Sequence, residues 1–154
     1  MPPASTPRST AAALRAARFE ALTAEAEAAV ARLAESYPEL AMADLVGAET
    51  ALAAALDGPA PRPEQFLRLH NFAHNLKGQG GSFGYPLVTR IAQSLCTLVP
   101  DDIGRPPPLT AVPLISAHLD ALRLVLAERL IGDGGEMGRI LLARLAGLGA
   151  PLPD

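Results

Sequence analysis

The chain contains few of the residues on which several classes of protein depend. Cys96 is the single cysteine among 154 residues, which excludes an internal disulfide and any multi-cysteine metal site. A lone thiol is typical of a reducing compartment. Aromatic residues make up only 4% and tryptophan is absent. Alanine, leucine, valine and isoleucine must therefore fill the core, as they do in closely packed helices.

Basic charge and long apolar runs are also scarce. The net charge is -3, so the chain lacks the global basic character of a nucleic-acid-binding protein. The first ten residues, MPPASTPRST, contain no apolar run of the kind found in a signal peptide. No stretch of 18 apolar residues is free of charge, so we expect no transmembrane helix. We expect a soluble, cytoplasmic monomer with neither nucleic acid nor membrane as a partner.

Hydrophobic residues at helical spacing predict an all-α chain of six helices. The first is predicted from Thr10, with Ser9 or Thr10 as its N-cap. It ends before Pro38, because a proline disfavours helix in the residue before it. Its apolar side comprises Leu14, Phe19, Leu22, Val30 and Leu33. The second helix is predicted at about 38–56. The third begins at Pro63 and frays in the stretch GQGGSFG, and the others are predicted at about 86–99, 109–131 and 136–148. No segment shows the period-two alternation of a strand.

Short links between successive helices favour antiparallel neighbours. We therefore expect an up-and-down antiparallel four-helix bundle over about 38–131, with an extra N-terminal helix and a short C-terminal helix. A single domain would cover 10–148. Residues 1–9 are predicted to form a disordered tail, because they are rich in proline, serine and threonine, and 149–154 a C-terminal tail.

The composition changes between positions 65 and 93. Thirteen residues are lysine or arginine, yet Lys77 is the only lysine. The two asparagines, Asn71 and Asn75, and all three glutamines lie in the same stretch. Chance in a small sample is one explanation. The other is that this segment is constrained by chemistry as well as by packing.

The centre of this segment is a histidine predicted to face solvent. On a helix, a buried stripe forms from Phe66, Leu69, Ala73, Leu76 and Gly80. His74 lies roughly 120° from the centre of that stripe. Lys77 and Gly78 follow at i+3 and i+4, so they flank the imidazole one turn later. The pattern predicts an exposed imidazole beside a fixed cation, with glycines that leave space around it.

Such an imidazole is suited to carry a phosphoryl group. A neutral ring nitrogen can attack phosphorus and hold the group as a phosphoramidate, and a nearby ammonium offsets the added negative charge. No Gly-x4-Gly-Lys-Ser/Thr loop is present to bind ATP. One partner would therefore have to load this histidine and another to unload it.

The residues His74-Asn75-Leu76-Lys77-Gly78 resemble the H-x-L-K-G core of histidine phosphotransfer (HPt) domains. The family continues with a small residue six positions after the histidine and a glycine ten positions after, which correspond here to Gly80 and Gly84. The resemblance is close over the third and fourth helices. It implies that His74 is phosphorylated, that Lys77 supports the phosphoryl group, and that Gly78 and Gly80 allow close approach of a receiver domain.

The resemblance also implies partners. These are a histidine kinase or hybrid kinase and the receiver domains of response regulators. Mg²⁺ would belong to the receiver, so the chain would need no cofactor of its own. We further expect Gly81, His70 and Asn71 to line the docking face, and Arg90 to add positive charge near His74.

Two positions depart from the family pattern. The residue at position 80 is usually serine or alanine, and glycine there lowers helix stability by up to ~1 kcal/mol. Many members place an amide or acid on the next helix to orient the histidine. Cys96 occupies that position here, and Gln93, one turn earlier, is the candidate substitute.

Other functions remain open on the sequence alone. His74 could be an ordinary surface histidine of an adaptor bundle that binds receivers without transferring anything. His70 and His74, at i and i+4, could form a metal pair of a small hydrolase. The sequence HNFAH lacks the glutamate of HExxH, however, and no third ligand is evident.

Overall fold

The computed structural model describes residues 7–154, and over that range it contains five α-helices and no strand. They are α1 (Pro7–Leu56), α2 (Pro63–Gly80), α3 (Pro86–Leu98), α4 (Val112–Ala127) and α5 (Gly135–Gly147). Short 3-10 turns occupy Gly81–Phe83 and Leu109–Ala111. The chain divides into two units, 1–35 and 36–154. The expected all-α class is confirmed.

The predicted break at Pro38 is wrong, because α1 continues through it. Proline inside a helix removes one backbone hydrogen bond and costs ~3 kcal/mol. Tyr37 and Pro38 are both buried, and the Tyr37 ring stacks on Phe83 at 5.2 Å and lies 5.3 Å from the Tyr85 ring. This packing offsets the cost, so the predicted first and second helices are one.

The start of α1 also differs from the prediction. The helix begins at Pro7, so Pro7, Arg8 and Ser9 are helical rather than part of a tail. The rest of the predicted tail, 1–6, lies outside the described residues. The predicted apolar side of the first helix is not buried: its five large residues are 50–73% exposed, namely Leu14, Phe19, Leu22, Val30 and Leu33.

The core belongs to the unit formed by residues 36–154. The second half of α1 contributes Tyr37, Ala41, Leu45 and Ala48. α2 contributes the stripe that its periodicity predicts, and α3 and α4 contribute further buried residues. Phe72 lies against Gly47, where a β-carbon would be only 2.5 Å from the ring. The missing side chain at Gly47 therefore lets the α2 ring approach α1.

The C-terminal region is shorter in helix than predicted but packs closely. The helix predicted over 109–131 comprises a 3-10 turn and α4, which ends at Ala127. Gly134 and Gly138 touch Leu87 of α3, where a β-carbon on Gly134 would lie 2.7 Å from that side chain. In the tail, the Pro153 carbonyl accepts a hydrogen bond of 2.9 Å from Arg90 Nε.

One stretch, Leu109–Ala127, is long and apolar enough to cross a membrane by length and composition. Its inward residues Ile115, Leu122 and Val125 are fully buried in the core. His118, on the same helix, is also buried and lies 2.8 Å from Ser94 of α3. This burial is what a core helix of a bundle requires.

Candidate functional site

His74 lies on the exposed face of α2. The buried residues of this helix are Phe66, Leu69, Ala73, Leu76 and Gly80, the stripe that the sequence predicts. His74 and its neighbours Asn71, Asn75 and Gly78 are all exposed. The helix therefore presents the imidazole to solvent on a polar surface.

His70 lies one turn before His74 and is half-buried. The two rings are nearly parallel at 16°, with centroids 6.2 Å apart. His70 Nδ1 lies 2.6 Å from the Val99 carbonyl, and because a carbonyl only accepts, this nitrogen carries the proton. His70 thus caps the end of α3. The His70 ring is therefore held in place by its hydrogen bond to the end of α3.

Lys77 lies one turn after His74 and is half-buried. Burial raises the pKa of the Cys96 thiol on α3, and the Lys77 ammonium opposes that rise. The positive charge of Lys77 therefore acts on a side chain in the contact between α2 and α3.

The backbone of Lys77 is bound by a residue that the sequence analysis did not single out. Thr89 Oγ1 of α3 donates to the Lys77 carbonyl at 3.0 Å and accepts from the Gly81 N–H at 2.9 Å. Periodicity along one helix gives no signal for such a contact. Pairing α2 with an antiparallel α3 would have suggested it, because Thr89 is a polar residue in the first turn of an apolar helix.

The glycines of the segment have different environments. A β-carbon on Gly78 would meet nothing within 4 Å, and one on Gly81 would meet only Thr89 Oγ1 at 3.7 Å. Both positions are exposed. Packing within the bundle therefore does not require glycine at either position.

Gly80 and Gly84, in contrast, are needed by the fold. Gly80 is buried, and a β-carbon there would lie 2.7 Å from Thr89 Oγ1 and 2.8 Å from the Tyr85 carbonyl oxygen. Gly84 ends the 3-10 turn with a φ of 87°, which favours glycine. Gly80, predicted to allow close approach of a receiver, therefore faces α3 rather than the exposed surface that carries His74.

A family model for the Hpt domain matches residues 32–125, which is more than half of the chain. The chain belongs to the Hpt domain family. The match covers the second half of α1, all of α2 and α3, and most of α4. A search of curated proteins found no match, and a search of solved structures also found none.

Two predicted residues of this Hpt domain are not placed as expected. Arg90 donates to the Pro153 carbonyl, so its guanidinium is bound to the C-terminal tail rather than offered beside His74. Gln93 is exposed on α3. Within residues 7–154, no hydrogen bond joins the Gln93 side chain to His74, whose orienting contact is therefore not supplied by this amide.

The residues around His74 are suited to carry a phosphoryl group, but they are poorly grouped for binding a metal ion. In the described part of the chain, no three histidine, cysteine or carboxylate side chains are grouped so that they could hold a metal ion. His70 has one ring nitrogen committed to Val99. The exposed His74 imidazole, with Lys77 one helical turn away and open space at Gly78, is suited to nucleophilic attack on phosphorus.

Proposed function

We propose that this Hpt domain relays phosphoryl groups through His74. Hpt domains are phosphocarriers of two-component signalling rather than conventional enzymes. The observation that carries the residue assignment is the exposed imidazole of His74, one turn from the only lysine and beside an open glycine surface.

The transfer step follows from ordinary acyl phosphate chemistry. The unprotonated ring nitrogen of His74 attacks the phosphorus of a receiver aspartyl phosphate, a P–N bond forms, and the P–O bond breaks. The aspartate leaves as a carboxylate with the bonding electron pair. In the return direction, a carboxylate oxygen of a second receiver's aspartate attacks the phosphorus, a P–O bond forms, and the P–N bond breaks with its electron pair returning to the His74 nitrogen. The Lys77 ammonium offsets the charge of the phosphoryl oxygens in both directions.

The partners that we propose are receiver domains and a histidine kinase or hybrid kinase. Mg²⁺ bound by the receiver would assist each transfer, so this chain would use no cofactor and bind no ATP. We place it in the cytoplasm, as a monomer, where such receivers act. The exposed surface of Asn71, Asn75, Gly78 and Gly81 around His74 has room for a receiver's acidic site.

A transfer assay distinguishes this function from that of an adaptor. Receiver domains encoded by the same organism are phosphorylated with labelled acetyl phosphate and mixed with the chain. We expect acid-labile label on the parent protein and none on His74→Gln, which should remain folded by circular dichroism. A chain that binds receivers but takes up no label would be an adaptor.

A further inference from the structure

The hydroxyl of Thr89 bridges two backbone groups that a regular helix joins directly. In an α-helix the carbonyl of residue 77 accepts from the N–H of residue 81. Here Thr89 Oγ1 donates to the Lys77 carbonyl and accepts from the Gly81 N–H. Gly81 is the C-cap residue of α2, and its N–H also donates to the Gln79 carbonyl, so the Thr89 hydroxyl binds the backbone where the helix ends.

The residues around Thr89 leave room for its side chain at this position. Gly80 has no β-carbon, and one built on it would be 2.7 Å from the Thr89 hydroxyl and 3.0 Å from its backbone nitrogen. The Gly80 carbonyl in turn accepts from the Tyr85 N–H at 2.8 Å. Three hydrogen bonds between neighbouring residues thereby link the last turn of α2 to the start of α3.

The tied turn is the one that carries Lys77 and Gly78. We infer that Thr89 is a positioning residue of the relay site, whose hydroxyl sets the last turn of α2 and so places the Lys77 ammonium relative to His74. This inference rests on the proposed function, because it assigns Thr89 a role in phosphohistidine chemistry beyond holding two helices together.

The test uses the full chain and a small phosphoryl donor. Potassium phosphoramidate is added to the parent, Thr89→Val, Thr89→Ala, Thr89→Ser and Lys77→Ala proteins. The labelling rate and phosphohistidine half-life are followed by phosphorus NMR. Thr89→Val and Thr89→Ala lose the hydroxyl, so we expect a change of about five-fold in at least one quantity, as for one neutral hydrogen bond. Thr89→Ser keeps the hydroxyl and should behave like the parent.

A double variant separates positioning from mere stability. If Thr89 acts through Lys77, then Thr89→Val combined with Lys77→Ala should be no more impaired than Lys77→Ala alone. Additive losses in the double variant would overturn the inference. So would a folded Thr89→Val or Thr89→Ala protein with the kinetics of the parent. A Thr89→Ser protein as impaired as Thr89→Val would overturn it as well. Should Thr89→Val fold poorly, Thr89→Ala gives the same comparison with a smaller side chain. A parent chain that takes up no phosphoryl group would instead refute the proposed function itself.

Discussion

Lys77 is the residue whose charge can be tested most cleanly at the proposed site, because the chain contains no other lysine. A charge-assisted contact typically contributes ~1.5–3 kcal/mol. We predict that Lys77→Ala slows receiver-to-His74 transfer or shortens the phosphohistidine lifetime about ten-fold or more. Lys77→Arg should recover only part of the rate, since a planar guanidinium differs in shape from an ammonium. Transfer by Lys77→Ala at the parent rate would contradict the charge role.

His118 makes the stability of the bundle depend on pH. Its ring is buried between the Ser94 hydroxyl and the Leu114 carbonyl, and burial lowers its pKa below the usual value of 6.5. The unfolded chain therefore takes up a proton at a higher pH than the folded chain. The free energy of unfolding should fall as pH drops below about 6.5.

This pH dependence can be isolated with one variant. Urea unfolding of the parent at about pH 7.5 and about pH 5.5 should show lower stability at the acidic value. His118→Leu should be less stable at neutral pH, because the Ser94 hydroxyl loses its partner, yet should lose less stability on acidification. Equal losses in the two proteins would show that His118 is not the group that titrates.

At the scale of the helix, Gly78 and Gly80 offer a matched pair for testing what the glycines of α2 do. A side chain at Gly78 meets nothing, whereas a β-carbon at Gly80 meets Thr89 and the Tyr85 carbonyl. We predict that Gly78→Gln leaves the Tm unchanged or raised, because glycine costs ~1 kcal/mol in a helix interior, but blocks transfer from a receiver. Gly80→Ala should lower the Tm.

The Tm and the transfer rate of each variant show whether the glycine gives a receiver access to His74 or is required for packing. Gly78→Gln should still accept phosphoryl groups from phosphoramidate, which needs no docking surface, and this serves as the control. A stable Gly78→Gln protein that takes phosphoryl groups from receivers at the parent rate would refute the access interpretation. A Gly80→Ala protein as stable as the parent would refute the packing assigned to Gly80.

The helices differ in how far the sequence predicts them. α2 and α3 follow from periodicity and from prolines at their first positions. α2 begins at Pro63 as predicted, and α3 spans Pro86–Leu98, close to the predicted range of about 86–99. The expectation that a proline ends a helix failed at Pro38, because the packing of Tyr37 against Phe83 and Tyr85 depends on distant residues. Periodicity placed Gly80 in the buried stripe but gave no signal for the contacts of Thr89, since these depend on how α2 and α3 meet.

At the scale of the whole chain, every buried hydrophobic residue that the structure describes lies between Tyr37 and Leu145. We therefore predict that a chain lacking residues 1–35 still unfolds cooperatively. Pro38 would then lie in the first turn of α1, where proline is tolerated. The Tm should shift by less than about 5 °C, which corresponds to roughly 1 kcal/mol in a domain of this size.

The control for this truncation keeps the full length and removes one ring instead. Tyr37→Ala deletes a side chain that is 1% exposed, and losing a large buried aromatic ring typically costs ~3–5 kcal/mol. Calorimetry of both proteins gives the comparison. Loss of cooperative unfolding on truncation would mean that residues 1–35 contribute to the core.

The central claim is that His74 is the phosphorylated residue, and the most direct measurement is to locate the phosphoryl group. The intact chain is incubated with phosphorylated receiver domains and digested at neutral pH, and the phosphopeptide is sequenced by mass spectrometry. Our account predicts one phosphoryl group on His74, retained in His70→Gln and lost in His74→Gln. A phosphoryl group on His70 or on any other residue, or full labelling of His74→Gln, would contradict it.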